Sequence, residues 1–273
     1  MLGKLIKYDI RSTWRDFAGI YLAILLGAIF LPLVFVYVNN AVVSVVAGLA
    51  IAGIEVASVV ITIVMLFRIF NTNVFLKQGY LTMTLPVRGS EVVASKLVVS
   101  TMWIVLTGIV SAIGILVFIW NIAPMEQYLP EIKKALSLLG GREYFAIALI
   151  LIATAASILK EIAKLFLACS IAHAKELGRF RAVLGILSFF VLSWLEIRIL
   201  KVIHFATGLL PGVREYFDQI TLQFDSLNSP ADLFHLTGPF NQAMGLWILY
   251  ALVWTVIFSI GTVWLLNHKL ELD

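Results

Sequence analysis

The sequence predicts an all-α polytopic membrane protein: six transmembrane helices preceded by an N-terminal amphipathic interfacial helix. Three observations carry this reading. Hydrophobic residues make up 61% of the 273 positions and charged residues only 13%, with a mean hydropathy of +1.00. That balance leaves too little polar surface for a water-soluble fold of this length. The apolar residues gather into runs of about twenty or more, the length a helix needs to cross about 30 Å of hydrocarbon. The basic residues gather beside those runs, so the net charge of +4 points to anionic lipid headgroups, and no nucleic-acid partner is expected.

Residues 1–16 are too short and too charged to span. Leu2, Leu5, Ile6, Ile10, Thr13 and Phe17 fall on one helical face, and Lys4, Lys7, Arg11 and Arg15 on the other, the pattern of a helix lying in the headgroup plane. A cleaved signal is the competing view. Asp9 and Asp16 interrupt its basic lead, the apolar run that follows is too long, and no small-residue cleavage site follows it.

The first span covers 17–38 and contains Pro32, which is expected to kink it. Asn39 and Asn40 turn the chain into a second span, 41–67, where Ser44, Gly48 and Ala52 recur every four residues as a candidate packing stripe. Glu55 sits near the middle of that span. Between Lys77 and Lys96 the chain becomes polar, and Leu76, Tyr80 and Met83 mark one apolar stripe of a short helix that Pro86 ends. Ser90 is the expected N-cap of the next helix, with Glu91 just inside its positive end. The third span follows at 97–120.

At these residues the chain resembles the ABC-2-type permeases, in particular those of Gram-positive bacteria. The likeness lies in the short N-terminal helix, in the run Gly79-Tyr80-Leu81-Thr82-Met83-Thr84-Leu85-Pro86-Val87, in Ser95-Lys96 opening the third span, and in the six-span plan. In that family the loop between the second and third spans is a coupling helix that docks on a separate ATPase subunit. The resemblance therefore implies an ATPase-coupling role for Gly79, Tyr80, Leu81, Thr82, Met83, Leu85 and Pro86. The basic connector 173–181, with Lys175 and Arg179, is expected to make a smaller second contact with that subunit.

Residues 121–143 are polar, with a short helix expected over 130–139. The fourth span, 144–172, is interrupted by Lys160, Glu161 and Lys164, and the fifth, 182–210, by Glu196, Arg198 and Lys201. If both helices cross fully, charges at mid-bilayer cost about 2.5 to 3.5 kcal/mol each unless they face protein, water or one another. Lys160 with Glu196 and Glu161 with Arg198 are the expected pairs, and Lys164 and Lys201 are expected to snorkel outward. Shorter, tilted spans that continue into water are the alternative. The sixth span, 243–266, carries Trp247, Tyr250, Trp254 and Trp264, the outermost of which suit interfacial anchors.

The distribution of Lys and Arg orients the bundle. Lys4, Lys7, Arg11, Arg15, Arg68, Lys77, Arg88, Lys96, Lys175, Arg179, Arg181 and Lys269 fall on one side, and only Lys133, Lys134, Arg142 and Arg214 on the other. The positive-inside rule then places both termini in the cytoplasm of a multi-pass cell-membrane protein. Catalytic motifs are absent: there is no phosphate-binding Gly-rich loop, no H-E-x-x-H and no paired-cysteine spacing, and His173, His204, His235 and His268 are scattered. Cys169, the lone cysteine, reads as a small apolar helix residue.

The expectation is a single transmembrane domain over 1–273, not itself an enzyme, that binds no cofactor and no metal. Following the resemblance, it is the permease subunit of an ATP-binding cassette transporter, with ATP and Mg held by the partner ATPase, and with a second permease copy or a homologue completing the pathway. Export of a peptide, drug or lipid-like compound is the expected activity. A non-transporting membrane sensor or immunity protein that binds an antimicrobial compound is the alternative. An intramembrane enzyme using Glu55, Glu161 or Glu196 is disfavoured because no nucleophile or metal set accompanies them.

Overall fold

The computed structural model describes residues 2–37, 41–74, 88–122, 140–173, 181–208 and 238–268, with isolated positions at 129–130, 133–134, 137, 215, 218 and 221–222. The apolar runs form six helices: α1 Leu2–Tyr37, α2 Ala41–Val74, α3 Gly89–Ile122, α4 Gly141–Ala172, α5 Arg181–Gly208 and α6 Gly238–His268. Among the described residues all six are long and apolar enough to cross a membrane. The expected coupling residues Gly79, Tyr80, Leu81, Thr82, Met83, Leu85, Pro86, Lys175 and Arg179 lie outside the described residues, as does most of the expected helix at 130–139.

Two compact units divide the chain, 1–131 with α1 to α3 and 132–271 with α4 to α6. In the first, α1 is the shared element and packs most extensively on α3, next on α2, while α2 and α3 touch each other least. Its core joins Phe17, Ile20 and Ile24 of α1, Leu66 and Ile69 of α2, and Val99 and Trp103 of α3. The Phe17 and Trp103 rings stack with centroids 4.3 Å apart and planes 3° from parallel.

Three expectations for this unit change. A separate interfacial helix at 1–16 does not form, since α1 runs unbroken from Leu2 to Tyr37. Asp9, Thr13, Phe17 and Ile20 make one continuous buried line, so the first turns are held by the same packing as the span. Of the Ser44-Gly48-Ala52 stripe, the described positions 48 and 52 do not meet another helix of the unit. Ala52 is exposed and a Cβ on Gly48 would meet nothing within 4 Å, whereas one on Gly114 would lie 2.8 Å from Ile24 Cγ2 and one on Gly27 2.6 Å from Ile54 Cδ1. The close approaches of backbone to neighbour are thus at Gly27 and Gly114. Ser90 does not cap α3 either: the Arg88 carbonyl accepts the first bonds, from the amides of Glu91 at 2.9 Å and Val92 at 3.3 Å, while Glu91 does sit in the first turn.

In the second unit α4 is the shared element, packed broadly on α6 and less on α5. Phe166 and Ala163 of α4 and Phe258 and Thr262 of α6 are almost fully buried, and a Cβ on Gly261 would come within 3.1 Å of Leu167 Cδ1. α5 is different. Among its described side chains only Glu196 is fully buried, on the same face as the half-buried Leu184, Phe189 and Leu192.

Candidate functional site

α4 is 32 residues long and α5 is 28, about 48 Å and 42 Å of helix, so both charge clusters lie well within the spans. Lys160 and Lys164 are one helical turn apart and share a face of α4. Both are buried, as is Glu196 of α5. Glu196 accepts from both lysines: Oε1 from Lys160, and Oε2 from Lys164 at 2.8 Å. Glu161, with its side chain 47% exposed, closes the group at 3.2 Å from Lys160 and 2.8 Å from Lys164.

α6 supplies the remaining wall. The Tyr250 hydroxyl donates to Glu196 Oε1 at 3.1 Å, and Lys160 Nζ lies 5.5 Å from the Tyr250 ring centre and 6.0 Å from that of Trp247. Trp247 Nε1 in turn donates to Ser157 on α4 at 2.9 Å. Lys164 lies 5.2 Å from the Phe189 ring of α5. Two ammonium groups thus face two carboxylates, with aromatic faces taking up the remaining field of the cations. Polar contacts of this kind join helices within a membrane, where apolar surface alone gives little drive to associate. Chemically the arrangement is a clamp in which each charge already has a partner.

The expected Lys160–Glu196 pair is present. The expected Glu161–Arg198 pair is not, because two lysines on Glu161's own helix reach it first. Arg198 points outward and lies 5.1 Å from the ring of Trp194, four residues before it. Lys164 does not snorkel to headgroups; its ammonium is consumed by Glu196 and Glu161. Tyr250 and Trp247 work as polar partners of this cluster. The i, i+4 spacing of Lys160 and Lys164 was the available signal that one carboxylate could serve both.

The first unit holds a second polar line that sequence reading missed. Lys96 Nζ lies 2.5 Å from Asp9 Oδ1, and Ser95 Oγ donates to Asp9 Oδ2 at 3.3 Å. One turn on, Trp103 Nε1 donates to Thr13 Oγ1 at 2.9 Å. Beyond that the Tyr21 hydroxyl meets the Trp103 carbonyl and the Thr107 hydroxyl, each at 3.3 Å, and Thr107 approaches Thr62 at 3.5 Å. The line runs along α1 and α3 and ends near α2.

Glu55 lies past that end. Its Oε1 is buried and without a hydrogen-bond partner, as is Ser111 Oγ on α3. Glu55 and Ser111 line a cavity of about 610 Å³ between α2 and α3, the pair of helices in this unit that pack least on each other. Among the described residues no group of three His, Cys, Asp or Glu side chains is placed to hold a metal ion. Comparison with protein-family models, curated proteins and solved structures gives no match.

Proposed function

We propose that the chain is the membrane subunit of an ATP-driven transporter, worked by a separate ATPase and completed by a second copy or a homologue. The observation that supports this best is the clamp at the root of α3. The segment 77–87, which resembles a coupling helix, leads into α3 at Arg88, and seven and eight residues later Ser95 and Lys96 grip Asp9 of α1. A push delivered to that segment would be passed to α1 and α3 together, because the pair is buried and joined by a short charged contact. Nucleotide-driven closure of the ATPases would then shift the bundle between two states of access.

In this reading both termini and residues 77–96 are cytoplasmic, and the protein resides in the cell membrane. Lys4, Lys7, Arg11 and Arg15, all exposed on the first turns of α1, then lie among anionic headgroups. Export of a peptide, drug or lipid-like compound follows from family analogy.

The test is affinity purification of the chain from native membranes in mild detergent. Recovery of an ATPase in comparable amount supports the reading. Consistent absence of one overturns it and leaves a membrane sensor or immunity protein as the better account.

A further inference from the structure

The cavity between α2 and α3 is walled by Val56, Val59, Val60 and Ile63 of α2 and Ile104 of α3. The four α2 residues are largely exposed, so the opening faces lipid. At about 610 Å³ it falls in the range of small-molecule pockets. Its hydroxyls Thr62 and Thr107 are occupied with each other and with the Trp103 carbonyl at 2.9 Å. Glu55 and Ser111 also line the cavity, and Glu55 Oε1 and Ser111 Oγ are buried and unpartnered, Oε1 lying just behind the wall, 3.7 Å from where a Cβ on Gly114 would sit. Among the described residues of this unit, Lys96 is taken by Asp9, and Arg68 is thirteen residues along α2 from Glu55, about 20 Å away.

An unpaired carboxylate within a membrane span is costly, and the costs fall when a cation or a hydrogen-bond donor reaches it. We propose that this cavity binds a lipophilic amine arriving from the bilayer. The ammonium pairs with the Glu55 carboxylate at the cavity wall, and the hydrocarbon body lies against the valines and isoleucines. Single charge and apolar bulk both contribute: a hydrophilic cation gains nothing from the walls, and a neutral compound leaves Glu55 unpaired and binds more weakly. The site goes beyond the transport reading and stands whether or not an ATPase couples to this chain.

The test uses the full chain in lipid nanodiscs with no ATPase present, titrated with radiolabelled 2-(1-naphthyl)ethylamine and, separately, its neutral N-acetyl derivative, with empty nanodiscs subtracted. Saturable amine binding is expected, weakened at least tenfold by Glu55→Gln, with the weaker binding of the N-acetyl compound changed less than twofold. Gly108→Leu should weaken both compounds at least tenfold, because Gly108 lines the cavity and a Cβ there meets nothing within 4 Å, so the new side chain enters free space. Val59→Trp blocks the opening from the other wall and serves if the glycine variant does not fold. No saturable binding to the unmodified chain overturns the proposal, as does amine binding that survives Glu55→Gln. If that variant instead disperses an oligomer while amine binding persists, the carboxylate belongs to a contact with a second copy, and the proposal is likewise overturned.

Discussion

Lys96 of α3 and Asp9 of α1 form a buried ion pair, 2.5 Å between Nζ and Oδ1, with side-chain exposures of 5% and 12%. It fixes the start of the third span to the start of the first. Breaking one partner of a buried pair strands the other charge, at about 3–5 kcal/mol, whereas replacing both with apolar groups is often neutral. Asp9→Leu and Lys96→Met are each expected to destabilise the chain by about that much, and the double variant Asp9→Leu/Lys96→Met to recover most of it. Thermal unfolding in detergent of the two single variants and the double variant measures this; additive losses would show that the two residues do not act as a pair.

Glu196 serves two lysines, and this sets an order among charge deletions in the second unit. Glu196→Gln leaves Lys160 and Lys164 to share the half-exposed Glu161, and is expected to cost about 3–5 kcal/mol. Glu161→Gln should cost much less, since both lysines keep Glu196. Arg198→Gln, on the outward face, should fall within about 0.5 kcal/mol of the unmodified chain. A reciprocal swap, Lys160→Glu with Glu196→Lys, is expected not to restore stability, because Lys164 would then face a lysine. Full rescue by the swap would show that Lys164 is not a true member of the cluster.

Glycine replacements should separate packing from composition. At Gly114 a new Cβ would lie 2.8 Å from Cγ2 of Ile24, a methyl held close to the backbone of α1, so Gly114→Ala is expected to destabilise by about 1–3 kcal/mol. At Gly27 the neighbour is the far end of Ile54, Cδ1 at 2.6 Å, which can rotate aside; the loss should be smaller. Gly48→Ala meets nothing within 4 Å and is expected to be neutral or slightly stabilising. Melting temperatures of the three variants, ranked in the order Gly114, Gly27, Gly48 from greatest loss to least, are the measurement.

If residues 79–86 receive the stroke of an ATPase, Tyr80→Asp with Leu81→Asp should cut ATP-dependent transport at least tenfold while the protein inserts and melts as before. The same variant should lose its hold on the ATPase in the purification. Unchanged transport would assign the coupling to another segment.

Much of the fold was legible in the sequence because a membrane solvent demands long apolar helices, and such runs cannot be disguised. Each expected span lies within one helix to within about two residues, and helices outlast their spans where no proline or glycine stops them, as α2 does past Phe67 to Val74. Lys160 and Glu196 could be matched because buried opposite charges at similar depth must find one another. Asp9 could not be matched with Lys96 in the same way. Eighty-seven residues separate them, and Asp9 sits in a stretch whose many exposed cations pull the reading toward lipid. The Ser44-Gly48-Ala52 spacing misled for a related reason: small residues permit close approach, but which face meets a neighbour is decided by the other helix.

By itself, then, the sequence determined the solvent, the six apolar spans and their approximate places, and the need for the charges of α4 and α5 to be compensated, since all of these follow from transfer energies that act residue by residue. Only the tertiary structure decided which groups compensate which: that Lys164 turns inward to Glu196, that Arg198 is left outside, that Asp9 closes on Lys96, and that Glu55 and Ser111 meet at one cavity. Those outcomes depend on the rotation of each helix about its axis, and that rotation is set by packing against its neighbours rather than by the lipid around it.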